Sequence, residues 1–147
     1  MSSVAVIILY YNKENLTTQC LKSVLENVNK HKDIFTFDNG SDIKVYDSIK
    51  KTFPQVTHFR NPENRGYSGG FNNAMKEVFN NNYDGVLFLT NDTIIHEGTL
   101  QAITETIKLH NAELITPCIR YLSGKENTSS TTPIATETSP MVVNTPR

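Results

Sequence analysis

The sequence is short of cysteine, of excess charge and of long apolar runs, and each shortage removes a class of protein. Its two cysteines, Cys20 and Cys118, stand far apart with no C-x-x-C spacing, so neither a zinc site nor a disulfide framework is implied. Fourteen Lys and Arg against fifteen Asp and Glu leave a formal charge of -1. A nucleic-acid surface ordinarily announces itself by basic excess, so no nucleic acid is expected as a partner. The longest apolar run, Val4 to Leu9, falls far short of the ~20 residues of a transmembrane segment. No basic stretch precedes it, so it does not read as a secretory signal. A reducing, cytoplasmic setting is the expectation, with peripheral association at a membrane left open. What remains is ordinary globular composition: 147 residues, 37% hydrophobic and 20% charged, one domain's worth of chain.

Apolar runs and helical stripes alternate from Val4 to about Ile119. Val4-Ala5-Val6-Ile7-Ile8-Leu9 has the pattern of a strand buried on both faces. Leu16, Cys20, Leu21, Val24, Leu25 and Val28 recur at helical spacing, with Asn12 as the expected N-cap. Asp33 to Phe37 reads as a second strand. Val45, Ile49 and Phe53 mark a short helix stopped by Pro54. Val56 to Phe59 is a third strand, and Phe71, Ala74, Met75, Val78 and Phe79 form the next helical stripe. Gly85 to Leu89 is a strong strand, expected to be central and buried. Leu100, Ile103 and Ile107 mark a further helix, and Glu113 to Thr116 a last strand. This β-α-β-α-β-α-β-α-β order predicts an α/β fold, a mostly parallel sheet with helices on both faces. From Thr128 onward Ser, Thr and Pro dominate without apolar periodicity, which predicts a disordered tail.

In open sheets of this kind ligands bind beyond the carboxyl ends of the strands, near the switch point in strand order. Those ends are polar here: Tyr10-Tyr11-Asn12, Asp38-Asn39-Gly40-Ser41, Arg60-Asn61 and Thr90-Asn91-Asp92-Thr93. Asp38 either stabilises its turn or the following helix, or hydrogen-bonds a base or ribose. Asp92 is placed to hold Mg²⁺ or Mn²⁺, which need only one or two protein carboxylates when phosphates supply the rest; an N-cap is the competing reading. In Arg65-Gly66-Tyr67-Ser68-Gly69-Gly70 the glycines let the backbone approach a ligand. The helix they precede favours anions, and Arg65 adds a cation that forks onto phosphate oxygens. It matches neither G-x-x-x-x-G-K-[ST] nor G-x-G-x-x-G, and a plain flexible loop is the alternative.

Taken together, four segments resemble the nucleotide-binding half of a family 2 glycosyltransferase of the Rossmann-like GT-A fold. They are Val6 to Asn12, Phe37 to Ser41, Glu63 to Asn72 and Leu87 to Thr93, in the family's order and approximate spacing, covering residues 4 to about 120. The resemblance implies that Tyr11 and Asn12 lie beside a uracil or thymine base and that Asp38 hydrogen-bonds it. It puts Arg65 and Gly66 in the loop flanking the nucleotide, with Asn72 and Asn73 beginning the helix beneath the donor. Asn91 and Asp92 match the Asp-x-Asp-like element, Asn91 on the nucleotide side and Asp92 on the metal, Mg²⁺ or Mn²⁺. The implied reaction is inverting transfer of a sugar from a UDP- or dTDP-sugar to an acceptor hydroxyl of a glycan or lipid-linked sugar.

The chain departs from the family's pattern in three places. Asn91 stands where the family usually has Asp, and Ser41-Asp42 lacks an often inserted threonine. After about residue 122 the expected acceptor half gives way to the Ser/Thr/Pro segment, so residues 1–122 read as a truncated donor-binding domain and 123–147 as its tail. The half that would supply a general base is then absent, or comes from a partner chain. None of Asp84, Glu97, Glu113, His31, His58, His96 or His110 can be placed at an acceptor, so the catalytic residue is unknown. A nucleotide-sugar-binding module without transfer activity is the competing function. A phosphatase-like aspartate at Asp38 ranks below both, for want of a second Asp two residues on. Asn15-Leu16-Thr17 and Asn91-Asp92-Thr93 match the N-glycosylation pattern by chance in a cytoplasmic setting.

Overall fold

A computed structural model describes residues 4–27, 33–78 and 83–110. The expected last strand at 113–116 and the Ser/Thr/Pro segment lie outside them, as do Val28 and Phe79. The elements run β1 (Val4–Tyr10), α1 (Glu14–Asn27), β2 (Ile34–Asp38), α2 (Ile43–Thr52), β3 (Thr57–Arg60), α3 (Gly66–Val78), β4 (Gly85–Thr90) and α4 (Thr99–His110). The chain divides into two compact units after Leu100. In the second, the described residues are helical, with Gln101 Nε2 donating to Glu105 Oε1 at 2.8 Å.

The first unit is built on a parallel sheet in the order β3-β2-β1-β4. Parallel crossovers are right-handed. The steps β1 to β2 and β2 to β3 move one way across the sheet, which sends α1 and α2 to one face. The step from β3 back to β4 moves the other way, which sends α3 to the opposite face. The α/β expectation with helices on both faces is met. β1, central and covered twice, is buried along nearly its whole length, as its unbroken apolar run requires. β4 corrects the sequence reading: among the described residues it is an edge strand, and Phe88 is 40% exposed.

Register decides which side chains meet. Partners across a parallel ladder project to the same face. Leu9 pairs with Phe37, and Phe37 with Phe59. This row meets α3, where Leu9 and Phe37 join Ala5, Ile7, Phe35, Phe71, Ala74 and Val78 in the core. The rings of Phe37 and Phe59 stack at 4.7 Å. On the other face Tyr10 lies beside Asp38 and Asp38 beside Arg60, while Thr36 lies beside His58.

The Thr36–His58 pair makes stability depend on pH. His58 Nε2 lies 2.8 Å from the Phe53 carbonyl and Nδ1 2.7 Å from Thr36 Oγ1. A carbonyl only accepts, so Nε2 carries the proton and Nδ1 accepts from the threonine hydroxyl. Burial holds the His58 pKa below its ordinary 6.5 and outweighs the Phe53 carbonyl, which favours the cation. The unfolded chain therefore takes up this proton first as the pH falls. The contribution is complete above about 6.5 and is lost as the pH drops through the window below it. Urea unfolding between about pH 7 and pH 5 should show stability declining, with a smaller decline in His58→Gln. An identical slope in that variant would assign the dependence elsewhere.

Candidate functional site

β1 leads to β2 on one side of the sheet while β4 arrives on its other side, so the order of strands reverses between β1 and β4. A crevice is expected beyond the carboxyl ends at such a switch point, and a cleft of about 340 Å³ opens there. Tyr10, Tyr11 and Lys13 line it at and beyond the end of β1, and Thr90 and Asn91 at the end of β4. Asn39, Asn64, Gly66 and Tyr67 close it from the direction of α3.

The wall after β1 is held in an unusual backbone. Asn12 and Lys13 have φ of 52° and 51°, a left-handed conformation costing roughly 1–2 kcal/mol for each residue with a side chain. Bonds to the β2–α2 turn offset that cost: the Asn12 amide donates to Ser41 Oγ at 2.7 Å, and Asn12 Oδ1 accepts from the Asp42 amide at 3.0 Å. Asn12 is therefore a tie between two loops and not the expected N-cap; the Lys13 carbonyl accepts the first helical bonds, from Leu16 and Thr17. Asp42, in turn, caps α2 by accepting from the Lys44 amide at 2.8 Å.

Asp38 lies beneath this turn, fully buried. Its Oδ1 accepts from the Ser41 amide at 2.9 Å and its Oδ2 from Arg60 Nη1 at 2.5 Å. The second Arg60 nitrogen reaches the Ser41 carbonyl at 2.7 Å. The turn-stabilising alternative is what the geometry displays, and Asp38 does not line the cleft. The reason is strand alternation: Asp38 faces α1 and α2, and the next side chain, Asn39, faces the cleft.

The glycine-rich segment is not a loop before a helix but the first turns of α3, which starts at Gly66. A Cβ on Gly70 would lie 2.8 Å from Leu9 Cδ1 and 3.2 Å from Asn39 Nδ2. Its absence lets α3 close on the end of β1. Asn72 and Asn73 consequently sit well inside the helix rather than at its start. Asn72 is exposed and away from the cleft, while Asn73 Nδ2 donates to Asn61 Oδ1 at 3.1 Å. Arg65 is half exposed, 3.7 Å from Glu63, an ion pair of little energetic weight at the surface.

At the end of β4, Asn91 Nδ2 donates to Thr17 Oγ1 at 3.0 Å, anchoring the turn to α1. Thr90 Oγ1 donates to Asp92 Oδ1 at 2.6 Å and so orients an exposed carboxylate next to the cleft-lining Asn91. Among the described residues no group of three His, Cys, Asp or Glu could hold a metal by itself. A single carboxylate fits a hard cation only where a diphosphate supplies further oxygens. Cys20 packs beneath, its Sγ 3.8 Å from the Thr90 carbonyl. Burial first, then the charge of Asp92, pushes its thiol up to about 12, so it is an inert core residue.

Of the residues singled out in the sequence, Tyr11, Gly66 and Asn91 line the cleft, with Asn12, Arg65 and Asp92 each adjacent in the chain to a lining residue. Lys13, Asn39, Asn64, Tyr67 and Thr90 also line it, and sequence reasoning gave them no role there. The strand-end position of Thr90 and the turn position of Asn39 were visible signals. The inward placement of Lys13, which depends on two successive positive φ angles, carried none.

Comparison with known proteins agrees with this architecture. The mannosyltransferase PcManGT from Pyrobaculum calidifontis, solved in complex with GDP-Man and Mn2+, superposes with a TM-score of 0.58 at 20% identity, over 71% of this chain and 32% of that one. S. aureus TarS superposes with a TM-score of 0.70 at 21% identity, over 88% of this chain and 24% of that one. Its 1–349 fragment gives 0.67 at 21%, over 85% and 37%. The chain thus spans little more than a third of these proteins at most, and the likeness is one of fold. No curated protein matches the sequence. The sequence model described as "Glycosyl transferase family 2" matches residues 5–142, and on that match the chain belongs to glycosyl transferase family 2.

Proposed function

We propose that the cleft binds the nucleoside diphosphate of a sugar donor, and that the domain serves inverting transfer of that sugar to an acceptor hydroxyl in glycan synthesis. The observation that carries the reading is the switch-point cleft, with Tyr11 and Lys13 on one wall, the first turn of α3 on another, and Asp92 one residue beyond Asn91. The half-exposed Tyr11 ring offers a face for a uracil or thymine base. Asn12 holds that wall in place. Lys13, Arg65 and the first amides of α3 attract the diphosphate. Asp92, oriented by Thr90, would hold Mg²⁺ or Mn²⁺ together with diphosphate oxygens; the ion would neutralise charge on the leaving group. Asp38 supports the turn from below.

Titration of the chain with UDP, dTDP and GDP, with and without Mn²⁺, tests this. Binding should depend on Mn²⁺ and weaken at least about tenfold in Asp92→Ala, the worth of a charged ligand interaction. Metal-independent binding indifferent to Asp92 would overturn the site, and preference for GDP would overturn the pyrimidine donor. One observation favours the second reading, a binding module without transfer: among the described residues no carboxylate or imidazole lines the cleft, whereas the acceptor proton needs a base. Donor consumption by the isolated chain would exclude it.

A further inference from the structure

Asn39 is 4% exposed, and its side chain makes four hydrogen bonds to residues 61–66, from the end of β3 to the first residue of α3. Oδ1 accepts from the Arg65 amide at 3.2 Å and from Asn61 Nδ2 at 3.1 Å. Nδ2 donates to the Gly66 carbonyl at 3.0 Å and to Asn64 Oδ1 at 3.1 Å. Two of these partners are backbone groups whose polarity is fixed: an amide that only donates and a carbonyl that only accepts. They dictate which end of the Asn39 amide is oxygen. The orientation then propagates. Asn61 must present nitrogen to Asn39, so its oxygen is the atom that faces Asn73 Nδ2. Asn64 must present oxygen, which also accepts from the Gly66 amide at 2.8 Å. Four asparagines form one polarised network, and Asn39 joins β2 to both sides of the Arg65–Gly66 peptide.

We propose that Asn39 is a positioning residue that holds the Arg65–Gly66 backbone and the first turn of α3 against the cleft, and that the position requires an amide rather than a carboxylate. The inference rests on reading the cleft as the donor-nucleotide site. A carboxylate at 39 would keep the bond from the Arg65 amide but set oxygen against the Gly66 carbonyl and Asn64 Oδ1, both acceptors. An alanine would remove all four bonds without repulsion. Asn39→Asp is therefore the more harmful change to the loop, although it is the closer in shape.

Two measurements on the chain test this, amide hydrogen exchange without ligand and titration with UDP and GDP in the presence of Mn²⁺. In Asn39→Ala the Arg65 amide should exchange at least about tenfold faster, the worth of one hydrogen bond. Unchanged exchange overturns the proposal whether or not any nucleotide binds. Wild-type chain that binds neither nucleotide overturns the donor-site reading instead, leaving exchange to decide the clamp. Asn39→Asp should weaken binding at least about tenfold, and Arg65→Ala should cost much less in that background than in wild type. Full additivity of the two, or tighter binding by Asn39→Asp, overturns the proposal, the latter by showing that residue 39 meets the ligand itself. Should the Asn39 variants not fold, Asn64→Ala, at an exposed position, removes the acceptor shared by Asn39 and Gly66. It should weaken binding non-additively with Arg65→Ala, and wild-type affinity there would equally sink the clamp.

Discussion

Replacing Arg60 with alanine should remove about 3–5 kcal/mol of stability, the loss typical when one partner of a buried ion pair is deleted. That is a large fraction of the stability of a small domain. The size follows from Asp38, which is fully buried and among the described residues is bonded by the Ser41 amide and Arg60. Without the guanidinium, whose own side chain is 26% exposed, the buried carboxylate keeps one neutral hydrogen bond. The neighbouring Tyr10 hydroxyl, buried without a hydrogen-bond partner among the described residues, is held neutral by burial and then by the Asp38 charge, and a phenol, which is never cationic, cannot replace the guanidinium. Arg60 also bonds the Ser41 carbonyl and lies over the Tyr46 ring at 5.2 Å. Arg60→Lys should therefore recover only part of the loss, since an ammonium cannot fork to both oxygens. Asp38→Asn combined with Arg60→Ala should be more stable than Arg60→Ala alone, because the stranded charge is gone. Urea unfolding of the three variants gives the answer. A cost under about 1 kcal/mol for Arg60→Ala would mean that water screens the pair as it does at a surface.

Gly40→Ala should be at least as damaging. Gly40 has φ of +82°, where an L side chain costs roughly 1–2 kcal/mol. An added Cβ would lie 2.5 Å from the Glu63 carbonyl carbon and 2.7 Å from the Asn64 nitrogen. Both are backbone atoms, so the strain cannot be relieved by turning a side chain. The segment that carries Arg65 and Gly66 must move, breaking the Asn39 bonds that fix it. Together these effects should exceed about 3 kcal/mol, strain and overpacking combined, with nucleotide binding lost in whatever remains folded. Gly98→Ala isolates the backbone strain: its φ is +80° with open space around the new Cβ, so only the backbone cost of roughly 1–2 kcal/mol applies. Equal melting temperatures for the two variants would show that the β2–α2 turn yields easily.

Much of this arrangement was legible in the one-dimensional pattern. Val4 to Leu9 reads as a strand buried on both faces because a central parallel strand has no wet side. Val45, Ile49 and Phe53 locate α2, and its C-terminal cap at Phe53 comes just before Pro54. Asp92 and Asn91 stand at the end of β4, where open α/β sheets place ligands. The glycine-rich segment misled because glycine at three positions argues against helix by propensity; packing overrides it, since Gly70 is where α3 meets Leu9 and Asn39. Asp38 left two readings open for another reason. Its position at a strand end is the same whether it faces a ligand or Arg60, and only the register of β2 against β3 tells the two apart.

The sequence by itself determined the alternation of elements and the polar strand ends, because those depend on periodicity and local chemistry within a few residues. Only the tertiary structure decided that the strand order reverses between β1 and β4, which opens the cleft there. Register across three strands likewise decided that Asp38 belongs to Arg60. Asn39, through one amide pinned between a backbone donor and a backbone acceptor, ties β2 to the segment that closes the cleft. Those outcomes rest on groups some twenty or more residues apart meeting at hydrogen-bond distance, and no local pattern encodes such a meeting.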